Sequence, residues 1–118
     1  MSPGDLFDRI AVLKVKIANL GDREELLSEL GECEKHEFPR EIADQYIHEL
    51  EVLNSDGWKE NEIIFEMAKS EVPSGKSELK RLAEAVFKAH SVNMLRVELK
   101  NSINERFGYS VREIKSWQ

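Results

Sequence analysis

A chain of 118 residues with six glycines and three prolines suits one domain, and 34% charged residues suit a helical one. Folding should bury roughly two thirds of the unfolded surface, enough for a real core. The net charge of −6, from 17 basic and 23 acidic side chains, argues against binding along a nucleic-acid backbone, which needs a basic surface, but it allows a local cationic pocket.

The single cysteine, Cys33, excludes an internal disulfide and fits a reducing compartment. It reads as a half-buried helical residue rather than a nucleophile. No apolar run approaches the roughly 18–20 residues of a membrane span, and the first apolar residues are spaced rather than contiguous as in a signal peptide. The expectation is a cytoplasmic protein with no membrane partner.

The first helix opens with Ser2 as cap, Pro3 in the first helical position and Asp5 as the capping-box acid. Leu6, Ile10, Leu13, Ile17 and Leu20 follow at steps of four and three, which is one apolar face, and Gly21 closes the helix. Asp22 with Glu25 repeats the cap signature for a short second helix carrying Leu26, Leu27 and Leu30. Gly31 and the polar stretch to Glu37 leave its end open.

A third helix begins at Pro39. "NSDG", residues 54–57, looks like a turn, yet a helix run through it keeps one stripe: Ala43, Tyr46, Ile47, Leu50, Asn54, Gly57, Trp58, Asn61, Ile64, Phe65 and Ala68. A real break has no reason to preserve that phase. The reading is one helix to about Ser70, with Gly57 a weak point costing about 1 kcal/mol relative to alanine.

After the loop "EVPSGKS", Ser77 is expected to cap a fourth helix running to Phe107 and closed by Gly108. Its apolar residues go nearly all the way round, with Val92, Leu95 and Leu99 beside the main stripe, so it reads as the central helix. Residues 109–118 form a tail with a short helix after Ser110. Nothing alternates with period two over a useful length, so no sheet is expected.

Three motifs tempt and fail. "SGKS", residues 74–77, resembles the end of a phosphate-binding loop, but that motif needs a glycine where this chain has Ser70, and a strand before it. Asp44, His48 and Glu51 share a helix face, but metal-binding bundles usually order such groups as Glu-x-x-His on two helices. Glu29/Glu32 and Glu41/Asp44 resemble fragments of the magnesium site of helical nucleotide pyrophosphohydrolases; Gly31 interrupts the first pair and the second opens a new helix. No metal ligand set and no cofactor is assigned, and His36 and His90 lack a convincing ligand partner.

The main stripe of the fourth helix resists a bland reading. It runs Leu82, Val86, Ala89, Asn93, Arg96, Lys100, Ile103, Phe107, with three polar residues between apolar ones. The third helix places Asn54 and Asn61 in the same way, and the first puts Arg9 and Lys16 on the shoulder of its stripe. Burying an unpaired charge or amide is expensive, so these groups should meet one another, water or a ligand.

One account is structural. Arg96 and Lys100 pair with Asp5, Asp8, Glu60 or Glu62, asparagines fix register, or the long cations reach outward to water. The other is a cationic pocket for a small anion, a phosphorylated metabolite or nucleotide, lined by Arg9, Lys16, Asn54, Trp58, Asn93, Arg96 and Lys100. There arginine grips phosphate in a fork, lysine supplies a point charge and Trp58 stacks on a ring. Trp58 is also, and more often, plain core or interface. No residues form an obvious nucleophile–base pair, so a reaction is not indicated and no catalytic residue is assigned.

Ser2-x-Gly4-Asp5-Leu6-x-Asp8-Arg9-Ile10, with Leu13 and Lys16 following, resembles the opening of a small, uncharacterised bacterial all-helical family whose members begin Ser-x-Gly-Glu-Leu-x-Asp-Lys-Ile. The similarity continues through Asn54, Trp58 and Glu62, then Asn93, Arg96, Lys100, Ile103 and Asn104, and ends with Glu113, Lys115, Ser116 and Trp117. The family usually carries an acidic pair three and four residues after the tryptophan, where this chain has Asn61 and Glu62, so a metal role for such a pair does not transfer. The resemblance brings no assigned function; some members are encoded beside glycosyltransferases. A divergent, phage-borne relative remains an open reading.

The expected protein is therefore an all-α antiparallel bundle of three long helices and one or two short ones, and a homodimer, because the apolar faces are broader than one chain needs. The expected function is small-anion binding. The alternative is a non-catalytic acidic interaction module whose central polar residues serve register.

Overall fold

The computed structural model describes residues 1–36, 38–69 and 75–108. It is all-helical over these residues, with α1 at Pro3–Leu20, α2 at Glu24–Glu34, α3 at Arg40–Lys69 and α4 at Lys76–Arg106. Among the described residues no helix is long and apolar enough to cross a membrane. The loop residues 71–74 and the expected short helix after Ser110 lie outside the described residues.

Two local signals at α1, the Ser2 cap and the Gly21 stop, act as expected, while the Asp5 carboxylate meets Lys100 at 3.0 Å. The Ser2 hydroxyl accepts the Asp5 N–H at 3.1 Å, and Gly21 ends the helix at φ 89, a left-handed conformation that glycine adopts without strain. The cap signature at Asp22 does not act as expected. Arg23 occupies the cap position of α2 and makes no side-chain cap bond. Its N–H donates to the Gly21 carbonyl at 2.9 Å, so the reversal after α1 spends one residue more than the sequence pattern suggested.

Helix α3 runs unbroken through Gly57, as the conserved phase of its stripe required. At α4, Gly75 rather than Ser77 holds the cap position. The Gly75 carbonyl already accepts the Leu79 N–H at 3.1 Å, so Ser77 lies inside the helix.

Helix α1, not α4, is the central element: it packs on α2, α3 and α4, whereas α4 packs on α1 and α3. The core sits where the start of α1, the start of α3 and the end of α4 converge. Leu6, Phe7, Ile10, Ala11, Ala43, Ile47, Leu50 and Ile103 form one buried cluster. Phe7, Phe38 and Phe107 close it as a mutual edge-to-face triad with centroids 5.1–5.6 Å apart, the geometry that ring quadrupoles favour.

Two glycine-dependent contacts seat α1 against α4. A Cβ at Gly4 would lie 2.5 Å from the Lys100 carbonyl oxygen, so only glycine permits this approach. The Gly4 N–H, one of the four orphan donors of a helix start, donates to the buried Asn104 Oδ1 at 2.7 Å. Asn104 thus caps α1 from another helix.

Beyond this convergence the molecule thins. It measures 51 × 37 × 19 Å, about two helix layers thick. On α3 the buried positions are Ala43, Ile47 and Leu50, all in its first half. The later stripe residue Phe65 is exposed, as is Val86 on α4.

Candidate functional site

Asp8 lies on the α1 face that meets α3 and α4, and its carboxylate is buried. Arg96 holds it with a two-bond fork, Nε donating to Oδ1 at 3.2 Å and Nη2 to Oδ2 at 2.7 Å. Asn54 adds a third donor: its Nδ2 reaches Asp8 Oδ1 at 3.1 Å and its own helix carbonyl, Leu50 O, at 2.9 Å. Arg96 Nη1 also donates to Asn93 Oδ1 at 3.1 Å. Burial is tolerable because the charge is paired and bonded on both oxygens.

Above this network, toward the C-terminal end of α1, the three helices part around a cleft of about 380 Å³. Helix α1 contributes Val12, Val15 and Lys16. Helix α3 contributes Asn54, Gly57, Trp58 and Asn61. Helix α4 contributes Ala89, His90, Val92, Asn93 and Arg96. The hydrocarbon walls come from the valines and Ala89, and the polar groups converge from three separate helices. Gly57 of α3 faces Val92 of α4, where a Cβ would meet Val92 Cγ1 at 3.4 Å, an ordinary contact.

Five of the residues singled out from sequence, Lys16, Asn54, Trp58, Asn93 and Arg96, line this one cleft. Two do not. Arg9 turns toward α2, where its Nη2 donates to Glu29 Oε1 at 2.7 Å. That bond pushes the Arg9 guanidinium further up and holds the Glu29 carboxyl below the usual carboxylate range. Lys100 sits 3.0 Å from Asp5 Oδ1 beside the start of α1, with its side chain largely covered. Arg9 and Lys100 therefore each serve an interhelical ion pair rather than the cleft wall.

The polar resources of the cleft are uneven. Asp8 and Asn93 engage three of the five N–H groups that an arginine offers. Lys16 has no carboxylate within 4.0 Å among the described residues. Asn93 uses its carbonyl on Arg96, which turns its amide nitrogen into a donor for something else. Trp58 donates from Nε1 to Glu62 Oε1 at 2.5 Å, one turn on, which fixes the indole along α3 at the cleft mouth. The lining contains no Ser, Thr or Cys to act as a nucleophile.

The sequence offers His90 no convincing ligand partner, and Asp8 only as one of four acids that could meet the cations. His90 sits one helical turn before Met94 and next to Ala89 of the polar-interrupted stripe, so its position on the shoulder of that stripe was the available signal.

A second, smaller cavity of about 100 Å³ lies between α1, the end of α2 and the start of α3, beside Cys33 and His36. Burial pushes the Cys33 thiol up, with Glu29 adding to the shift, which disfavours the nucleophilic thiolate. Among the described residues no group of three or more His, Cys, Asp or Glu is arranged to hold a metal ion. No family model matches this chain, and no curated protein or solved structure matches it.

Proposed function

We propose that this protein binds a small anion, a phosphorylated metabolite or a nucleotide, in the cleft between α1, α3 and α4. The observation that carries the reading is the convergence of Lys16, Asn93 and Arg96 with Trp58 around one cleft of about 380 Å³. Lysine supplies a point charge, the asparagine amide and the remaining arginine donors supply direction, and the indole supplies a face for a ring. Asp8 then acts as a counterweight: it orients Arg96 and spends part of its charge, leaving Lys16 as the main electrostatic attraction.

The reading includes a single cytoplasmic bundle domain of three long helices in which α4 runs antiparallel to α1 and α3. Support comes from the order of contacts: Gly4 meets Asn104, Asp5 meets Lys100 and Asp8 meets Arg96, so positions descend along α4 as they ascend α1. It also includes kinship with the helical family that the sequence resembles. The resembling positions Asn54, Trp58, Asn93 and Arg96 all fall on the cleft.

The test is a thermal-shift screen of nucleotides, nucleotide sugars and inorganic phosphate. A ligand at a hundredfold excess over its Kd stabilises by about 2.7 kcal/mol. A hit whose shift disappears in Lys16→Ala, with the unliganded Tm unchanged, supports the reading. A second reading is favoured by the Asp8–Arg96 fork: an acidic interaction module in which that pair serves register alone. It gains if no compound shifts the Tm and Arg96→Met raises stability.

A further inference from the structure

Helix α1 is 18 residues long, against 30 for α3 and 31 for α4. At 1.5 Å per residue that is about 27 Å against about 45 Å. Its start is pinned to the end of α4 by Gly4 and Asn104, and its Val15 and Lys16 reach only as far as Ala89 and His90. The remaining three turns or so of the α3–α4 pair project beyond it as a single layer.

On that overhang the stripe residues lose their cover. Phe65 is 61% exposed, Leu79 51% and Val86 49%. Trp58, Asn61, Glu62, Phe65 and Glu66 flank a shallow depression of about 330 Å³ that shares Trp58 and Asn61 with the anion cleft. An apolar platform continuous with a site, on the outer half of a two-layer molecule, marks a contact surface.

The charges along α3 say what fits it. Reading outward, Glu62, Phe65 and Lys69 occupy one face, with the Lys69 ammonium 4.6 Å above the Phe65 ring. This order is self-complementary when reversed: inverted against itself about a point between Phe65 and Glu66, the face sets Glu62 opposite Lys69 twice, where Lys69 within one chain leans on Glu66 at 3.7 Å. On α4 the same inversion, centred between Leu82 and Ala83, sets Leu79 opposite Val86. The shape agrees, because each overhang has the thickness of the layer that α1 vacates in the other. We propose that a second, inverted copy of this chain covers the overhang, with a two-fold axis passing near Phe65. Such an interface is isologous and closed, so it stops at a dimer.

The experiment is the mass of the full chain by light scattering and sedimentation over a concentration series, read separately from any ligand shift. The wild type is expected to be a dimer. Phe65→Glu, at an exposed position, is expected to be a monomer with unchanged helical circular dichroism. Glu62→Lys and Lys69→Glu should each weaken the dimer at least severalfold, and the two together in one chain should restore it. A monomer at every concentration, a dimer indifferent to Phe65→Glu, or a double reversal that fails to recover the dimer each overturns the proposal.

Discussion

The Arg96 guanidinium and the buried Asp8 carboxylate meet in a two-bond fork, 2.7 and 3.2 Å, across 88 residues of sequence. It joins the first and last helices at the base of the cleft. The pair is neither a free phosphate clamp nor a fully dry ion pair, since Arg96 remains 27% exposed on its side chain.

Truncating one partner should therefore cost less than the 3–5 kcal/mol of a fully buried pair. Asp8→Ala is expected to destabilise by about 1–3 kcal/mol, because Arg96 keeps access to water while Asn54 loses an acceptor. In a denaturant-based double-mutant cycle, Asp8→Ala and Arg96→Ala should couple by about 1 kcal/mol or more. Strict additivity would show that the fork contributes nothing net.

Gly4→Ala should be among the more damaging small substitutions. The new methyl would meet the Lys100 carbonyl at 2.5 Å and Asn104 Oδ1 at 2.9 Å, so α1 must lift from α4. The cost is expected at about 1–3 kcal/mol from overpacking. Asn104→Ala, which instead leaves the Gly4 N–H without its acceptor, should cost about 1–2 kcal/mol. Urea melts of the two variants check both, and a Gly4→Ala chain as stable as wild type would refute the close approach.

Gly57→Ala should act the other way. The added Cβ lands 3.4 Å from Val92 Cγ1, an ordinary contact distance, and replaces a mid-helix glycine. Stability is expected to rise by up to about 1 kcal/mol, from helix propensity. The same methyl intrudes on the cleft, so ligand-induced shifts in Tm should shrink while the unliganded Tm rises.

The Arg9–Glu29 pair ties α2 to α1 and carries a pH signature. Glu29 is held below the usual carboxylate range by the Arg9 hydrogen bond, so its unfolded value is the higher of the two. The folded state then binds fewer protons, and its contribution is present above the ordinary value of about 4.3. It fades as pH falls through the depressed value. In a carboxyl-resolved NMR titration, Glu29 should titrate below the ordinary glutamate value, and Arg9→Gln should raise it.

The sequence by itself determined the helices. Ser2 and Gly21 act through bonds within a few residues, and the unbroken stripe across Gly57 follows from a period of 3.6. These signals are local, so they survive without knowledge of the rest of the chain. The cap at Gly75 misled the reading because glycine leaves no side-chain signature, and Ser77 two residues later does.

What only the tertiary structure decided is which part of each stripe is covered and which polar groups meet. Lys16 and Arg9 are both cations on the same helix shoulder, yet one lines the cleft and the other pairs with Glu29. That choice depends on where α2 folds back. Likewise Lys100 goes to Asp5 and Arg96 to Asp8, because Gly4 and Asn104 set the register between α1 and α4. An apolar stripe states that a face wants cover. It does not state how far along the face the partner helix reaches, and here α1 ends about three turns short.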